Sequence, residues 1–215
     1  MFFQKFLKGI PGDDDHQAQL RLRELGICCR WWDRVHQITP SEIKAKLTER
    51  NLDWHLNRYD HPDPDHGGEP FYDHTPFIST TAGAVERDEM FQRNRVFSPF
   101  LTALDFATRG FREPGYIFYG YVYTLGKKSI PLQEFSEEVR ELNIYTNFLP
   151  FHYEGEIVAK IGIPSVNLEK YEKYDPDLLL RDLANGSFPT PIDVAYNDDY
   201  AEPERYLNLR GLLER

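Results

Sequence analysis

The chain has 215 residues, a length compatible with one large domain, and its formal net charge is −10 at pH 7. An acidic excess spread over both halves argues against a nucleic-acid groove or an anionic membrane surface as the main partner. Hydrophobic residues make up 40% and aromatic residues 14%, so the chain can form a packed core rich in β-structure and is not disordered.

Cysteine usage and hydropathy exclude further classes. The only two cysteines, Cys28 and Cys29, are adjacent and supply neither a disulfide framework nor a tetrahedral zinc set. No apolar run approaches the ~20 residues that span a bilayer, and the first ten residues are too short and too charged for a signal peptide. We therefore expect a cytoplasmic protein, with a secreted effector or toxin as the alternative.

The first predicted elements are a helix and a strand. Acidic residues precede a helix from His16 to Leu25, which Gly26 ends. Residues 27–32 favour a buried strand. Arg30 is the exception in this strand, because a guanidinium in an apolar run needs a carboxylate, a phosphate or solvent.

A long polar segment follows the next helix. Thr39 and Pro40 predict a helix that runs to about Arg50. The polar, proline-containing residues 51–76 predict a long loop, which in a compact domain is more often functional than idle. The histidines at 61, 66 and 74 lack the spacing of a compact zinc motif, so we predict no metal site.

The middle of the chain predicts two strands around a helix. Residues 77–81 form a short strand with hydroxyls at its exit, and Ser98 with the following proline starts a helix through Arg109. Residues 116–124 are strand-like throughout. The order of elements predicts an α+β fold with central antiparallel sheets.

The last part of the chain combines predicted helices with one acidic strand. Helices are predicted over 132–142, 175–185 and 202–213. Glu154 and Glu156 begin a strand and face the same side, because strand side chains alternate in direction. Two like charges this close are costly unless a cation meets them. The pair is a candidate active site; the alternative interpretation is two solvated acids.

Four residues, in their order along the chain, resemble a known enzyme class. Arg30, Ser79, Glu154 and Glu156 follow one another as in the arginine-serine-glutamate class of mono-ADP-ribosyltransferases, to which the cholera toxin and heat-labile enterotoxin catalytic chains belong. The resemblance covers about residues 27–170. The segments that carry it further are the helix start at 39–44, the Tyr-Asp-His sequence at 59–61, and the strands at 77–81, 116–122 and 154–164.

This resemblance implies a fold and a substrate. It implies an ADP-ribosyltransferase-like fold, in which antiparallel sheets with flanking helices form an NAD cleft. We expect a single domain over 1–215, with a helical segment within 1–26 and an extension over 171–215. The implied reaction transfers ADP-ribose from NAD, used as a substrate, to a target protein and releases nicotinamide. No metal, nucleic acid or membrane is implied.

The resemblance also implies roles for single residues. Glu156 would stabilise the oxocarbenium-like ribose as the glycosidic bond breaks. Arg30 would bind a phosphate of NAD, while Ser79 and its neighbour Thr80 would contact the dinucleotide. His61 would line the nicotinamide pocket; the alternative is a surface histidine.

The acceptor is implied by the acidic residue two positions before Glu156. An acid at Glu154 implies an arginine as acceptor, since a carboxylate can orient a guanidinium and assist proton loss. Phe148, Phe151 and Tyr153 would contact the target protein, with ordinary core packing as the alternative.

The sequence also departs from the family pattern. Tryptophans follow Arg30, a threonine stands at Thr81 where the family has serine, and residues 82–97 form an insertion. Two other functions therefore stay open: an NAD glycohydrolase with water as acceptor, and a binding module on an inactive transferase scaffold.

Overall fold

A computed structural model describes residues 2–34, 39–82, 99–124 and 156–203. Its helices are α1 (Asp15–Leu20), continued by a π-helical turn (Arg21–Leu25), then α2 (Arg30–Arg34), α3 (Pro40–Lys46), α4 (Glu49–Asn57), α5 (Pro99–Ala107) and α6 (Pro176–Ala184). Its strands are β1 (Phe2–Pro11), β2 (Ile27–Cys28), β3 (Phe77–Ala82), β4 (Gly115–Thr124), β5 (Glu156–Lys160), β6 (Gly162–Ile163), β7 (Leu168–Tyr174) and β8 (Asp193–Tyr196).

The strands form a six-stranded sheet in the order β5-β3-β1-β4-β7-β8 and a two-stranded sheet of β2 and β6. Every pairing between these strands is antiparallel. β4 pairs along the whole length of β1, whereas β3 meets β1 at two positions, Phe6 with Ala82 and Leu7 with Thr81. The predicted α+β class with a central antiparallel sheet is confirmed.

Helix α5 packs directly on strands β1 and β4, because glycines occupy the two positions where a side chain would separate the helix from the sheet. A Cβ on Gly9 would stand 2.1 Å from the carbonyl oxygen of Ala103, and one on Gly115 would stand 1.8 Å from that of Ala107. Any larger residue would push helix and sheet apart. The first hydrophobic core lies between this helix and the sheet and contains Leu7, Leu104, Ile117 and Tyr174.

A second core fills the other face of the sheet. Its buried members come from the N-terminal helix, α2, α3, the small sheet and the strands of the large sheet, and include Leu22, Trp31, Ile78, Phe118 and Tyr171. Each of these residues is at most 6% exposed, so hydrophobic burial is the main stabilising contribution here.

Several predicted elements are confirmed. The first helix begins after an Asp14 capping box, and Gly26 ends it with φ 71°. Thr39 caps α3 through a capping box with Glu42. The strands at 77–81 and 116–124 and the helices that start near Pro99 and Pro176 are also present.

The predicted strand over 27–32 is wrong beyond Cys28. The Cys29 amide donates to the Ile161 carbonyl at 2.8 Å, and the Cys29 carbonyl accepts from the Asp33 amide at 3.2 Å. Backbone pairing thus changes at Cys29 from sheet to helix, and Arg30 begins α2 instead of continuing β2.

The predicted loop over 51–76 is wrong at its start. The helix expected to reach Arg50 ends at Lys46, and a new helix, α4, runs to Asn57. Thr48 starts α4 because its side chain accepts from the Asn51 amide at 3.1 Å. The helix is held by its buried side, which carries Leu52, His55 and Leu56.

Three strands were not predicted, and one of them is β8, which lies between the predicted helices over 175–185 and 202–213. β1 occupies the N-terminal stretch, where no strand was expected, and β7 precedes α6. In β7 the buried residues recur at every third position, which is not the alternation that identifies a strand. The predicted helices over 132–142 and most of 202–213 lie outside the described residues.

Candidate functional site

The site is built on one face of β3. Side chains alternate along a strand, so Phe77, Ser79 and Thr81 share a face and Thr80 points to the other. In the register with β5, Val158 stands opposite Ser79 and Glu156 opposite Thr81. The backbone of Glu156 therefore lies beside that of Thr81, two residues after Ser79.

Thr80 is separated from Ser79 by this alternation. It is 2% exposed, and its side of β3 is that of Ile78, a member of the second core. The third hydroxyl, on Thr81, donates to the Pro99 carbonyl at 3.0 Å and so joins the end of β3 to the start of α5. Ser79 is thus the hydroxyl that faces α4.

His55, on α4, holds the hydroxyl of Ser79. Its Nε2 lies 2.9 Å from Ser79 Oγ, and its Nδ1 lies 2.8 Å from Thr75 Oγ1. Burial lowers the pKa of His55 to about 3, with a smaller contribution from the charge of Lys8. His55 is therefore a neutral imidazole at physiological pH, and with both nitrogens engaged its ring cannot rotate.

A row of aromatic rings connects His55 to Arg30. The ring of Tyr59 meets His55 edge-on at 5.5 Å between centroids, and Tyr72 follows at 5.6 Å from Tyr59. The guanidinium of Arg30 lies over the ring of Tyr72, 4.7 Å from its centroid. The row therefore joins the two residues that the sequence resemblance pairs in one site, Arg30 and Ser79.

Arg30 is fixed by an acidic partner. Its Nη1 contacts Asp73 Oδ1 at 3.2 Å, and Arg34 Nη2 contacts the other carboxylate oxygen at 3.0 Å. The Asp73 side chain is 16% exposed whereas that of Arg30 is 56% exposed. A guanidinium has five N–H donors, so Arg30 keeps donors for an anion arriving from solvent.

These groups define what the arrangement can do. It offers an exposed guanidinium for a phosphate, half-exposed tyrosine rings on which a planar base can stack, and a serine hydroxyl of fixed orientation. At the start of β5, the main chain of Glu156 pairs with that of Thr81. Among the described residues, no group of three or more His, Cys, Asp or Glu side chains is placed to hold a metal ion.

Among the remaining predicted residues, His61 is the one whose side chain the structure describes. His61 is exposed, and its backbone bonds to Arg58 and Phe71, whereas His55 is the histidine that contacts Ser79. The side chain of Glu156 lies outside the description, and so do Glu154 and the aromatic residues Phe148, Phe151 and Tyr153.

His55 was missed because its segment was read as a loop. Once residues 49–57 are helical, Leu52, His55 and Leu56 form a stripe at helical spacing. A histidine within an apolar stripe must bury its two nitrogens with partners, and nearby hydroxyls on Thr75 and Ser79 provide them.

Comparisons with solved structures return toxin chains. The protein EcPltA is 17% identical, with a TM-score of 0.43, over 93% of this chain and 87% of that one. A mutant of heat-labile enterotoxin, described as highly flexible in an active-site loop of its A subunit, is 17% identical, with a TM-score of 0.31, over 80% and 75% of the two chains. At TM-scores below 0.5, neither likeness carries an argument about this chain.

A scan against protein-family models finds no match, and neither does a search of curated proteins. The site must therefore be interpreted from its own residues. In the part of the chain that the structure describes, no helix is both long enough and apolar enough to cross a membrane.

Proposed function

We propose that this protein is a mono-ADP-ribosyltransferase that transfers ADP-ribose from NAD to a protein arginine and releases nicotinamide. The observation that carries the proposal is the continuous row from Arg30 through Tyr72, Tyr59 and His55 to Ser79. Arg30 and Ser79, two residues of the predicted set, lie far apart in sequence, and this row of contacts connects them.

Arg30 binds the diphosphate of NAD in this proposal. Its guanidinium is held over Tyr72 by Asp73, so little conformational entropy is lost when a phosphate binds. A phosphate binds to the N–H groups of Arg30 that face solvent, while the N–H group that contacts Asp73 stays bonded to it. The neighbouring tyrosine rings offer stacking surfaces for the nicotinamide or adenine base.

Glu156 stabilises the transition state. The ribose carbon gains positive charge as the bond to nicotinamide breaks, and a carboxylate near the ribose lowers the energy of that charge more than that of bound NAD. Ser79 orients the ribose by a hydrogen bond. His55 acts through Ser79 as a positioning residue, because its ring fixes where the serine hydroxyl lies.

Glu154 selects the acceptor. A carboxylate at this position binds the guanidinium of a target arginine and assists the loss of its proton as nitrogen attacks the ribose. Phe148, Phe151 and Tyr153 contact the target protein. The products are ADP-ribosylated arginine and nicotinamide.

The test measures nicotinamide release and label transfer in parallel. Wild type incubated with NAD labelled in its adenylate part should label agmatine or arginine-bearing proteins, and Glu156→Gln should release almost no nicotinamide. Glu154→Gln should lose transfer to agmatine but keep much of the hydrolysis. Equal nicotinamide release by wild type and Glu156→Gln would reject the proposal.

The same assay separates the two other functions. Nicotinamide release without labelling of any offered guanidine would identify water as the acceptor and make the protein an NAD glycohydrolase. Absence of both release and calorimetric binding at millimolar NAD would identify a binding module.

A further inference from the structure

A pocket lies beside α2, the helix that begins with Arg30. It has a volume of about 500 Å³, and its walls come from α2, α3, the start of α4 and the loop that follows α4. Trp31 and Phe71, both almost fully buried, form its apolar part, and Lys46, Asn51 and His66 contribute polar atoms. The proposed NAD chemistry uses none of these side chains.

Within this pocket, Lys46 is the first of three polar side chains that contact one another in turn. Its Nζ lies 3.2 Å from His66 Nε2, and His66 Nδ1 lies 2.7 Å from Asp63 Oδ2. The Asp63 side chain is 5% exposed and also accepts from the Asp65 amide at 2.9 Å. The amine of Lys46, the imidazole of His66 and the buried carboxylate of Asp63 are therefore connected in this order.

This order resembles the nucleophile, base and orienting acid of covalent catalysis. Asp63 accepts the Nδ1 proton of His66, which leaves Nε2 as the acceptor that faces the Lys46 ammonium. When His66 takes the lysine proton, the resulting imidazolium is stabilised by the carboxylate of Asp63. The free amine is the nucleophilic form of lysine.

The burial of Lys46 favours its neutral form. Burial lowers the pKa of Lys46, and the nearby Asp63 and Asp65 oppose that shift without reversing it. Burial alone would raise the pKa of Asp63, but hydrogen bonds from the Asp65 amide and His66 outweigh burial and lower it. The groups that face Lys46 are thus His66, these two acids and the ring of Trp31, 5.8 Å away.

The far side of His66 is covered by another imidazole. His74 stacks on His66 with 3.9 Å between centroids and 10° between planes. The outer nitrogen of His74 lies 2.8 Å from Glu69, which also pairs with Arg34. This stack holds the plane of His66 so that its Nε2 stays directed at Lys46.

We propose that Lys46 is a nucleophilic lysine that forms an imine with a neutral aromatic aldehyde bound in this pocket. The planar ring of such a ligand packs against Trp31 and Phe71. The pocket carries the acids Glu42, Asp63 and Asp65 against Lys46 and Arg50, and once Lys46 is a free amine the acids prevail. An anionic ligand is therefore disfavoured.

The covalent step balances without an oxidant. His66 takes one proton from the Lys46 ammonium, and the nitrogen lone pair attacks the carbonyl carbon to form a C–N bond. The carbonyl oxygen takes that proton from His66 and becomes a hydroxyl group. The nitrogen, which still carries two hydrogens, gives one of them through His66 to this hydroxyl group, and the C–O bond breaks as water leaves. Ammonium and aldehyde thus give a protonated imine and one water.

The experiment traps the imine with cyanoborohydride in the full-length protein. Benzaldehyde is the probe, and mass spectrometry compares benzylation of Lys46 with that of Lys44, an exposed lysine of the same helix, in the same molecule. We expect Lys46 to react about tenfold faster than Lys44, because burial favours its free amine and His66 is placed to accept its proton. Its rate should saturate with benzaldehyde, while that of Lys44 rises linearly.

Two further measurements decide between a built site and an ordinary amine. His66→Gln keeps a polar side chain that cannot take up a proton, and it should bring Lys46 down to the rate of Lys44. The anionic 4-carboxybenzaldehyde should lose most of the preference. A Lys46 rate equal to that of Lys44, or one linear in benzaldehyde, overturns the proposal, and this wild-type result decides even where His66→Gln does not fold.

Discussion

The six-stranded sheet consists of two unequal parts. Strands β1, β4, β7 and β8 form a block in which β1 and β4 pair along their whole length, whereas β3 and β5 form an arm that joins β1 at two positions. The block packs against α5 and α6, and the arm packs against α4 through Val158, Phe77 and Leu52. The block has the more extensive pairing with β1, and the arm carries Ser79 and Glu156 of the candidate site.

This division predicts that activity and folding can be damaged separately. A substitution in the arm's polar groups should reduce turnover in a protein that still folds. A substitution where α5 meets the block should unfold the protein without changing the chemistry of the molecules that remain folded. The following experiments test whether activity and folding can be damaged separately.

The largest effect is expected for Glu156→Gln. Removing the charge that stabilises the developing cation should reduce nicotinamide release about a thousandfold, with the unfolding temperature unchanged. Glu169→Gln, on β7 in the block, is the matched control and should retain wild-type turnover. An equal loss in both variants would mean that the arm is not the seat of the chemistry.

Gly9→Ala should have the next largest effect, on stability. Its methyl group would meet the Ala103 carbonyl oxygen at 2.1 Å and the Ala107 amide nitrogen at 2.7 Å, so we expect a loss of about 3 kcal/mol in the free energy of unfolding. Denaturant titration measures it. Gly162→Ala is the control, because its nearest neighbour would be 3.7 Å away. Equal losses would contradict the close packing of α5.

His55 should make stability depend on pH. The folded protein keeps this imidazole neutral down to a pKa of about 3, while the unfolded chain takes up a proton below about 6.5. The stabilisation is therefore complete above pH 6.5 and falls toward pH 3, which amounts to about 2 kcal/mol between pH 7 and 5.

The measurement compares the free energy of unfolding at these two pH values in wild type and His55→Gln. The variant should lack this part of the loss, whereas His61→Gln, which removes an exposed histidine from the next loop, should keep it. If His55→Gln shows the wild-type pH dependence, His55 is not held neutral by burial.

The smallest effect is expected for Arg30→Lys. A lysine cannot present two N–H groups to Asp73 and a phosphate in the same geometry, so KM for NAD should rise about tenfold with little change in kcat. Arg34→Lys disturbs the same aspartate without facing the row of tyrosines and should leave KM close to wild type. The reverse order of effects would assign the anion site to Arg34.

The sequence predicts elements that carry local signals. Thr39 and Asp14 predict helices because capping is decided within one turn, and the aromatic and β-branched residues of 77–81 favour a strand. β1 was missed because its lysines obscure the hydrophobic pattern, and its central position depends on pairing with β4, which is distant in sequence. A pairing of this kind leaves no local signal.

The site shows the same limit. Arg30 and Ser79 can be identified from order along the chain, but the ring contacts that connect them come from Tyr59, Tyr72 and His55, whose positions depend on how α4 packs on β3. The ion pair with Asp73 likewise joins segments that only tertiary structure brings together.

The hydrogen bond from Thr81 to the carbonyl of Pro99 has a consequence for how the chain can change in evolution. It holds the end of β3 next to the start of α5. The residues between β3 and α5 therefore span the same distance whatever their number. Lengthening such a closed stretch costs little free energy, since the entropic cost grows slowly with length. This position can therefore accept insertions, deletions or a grafted peptide while the strand and the helix keep their places.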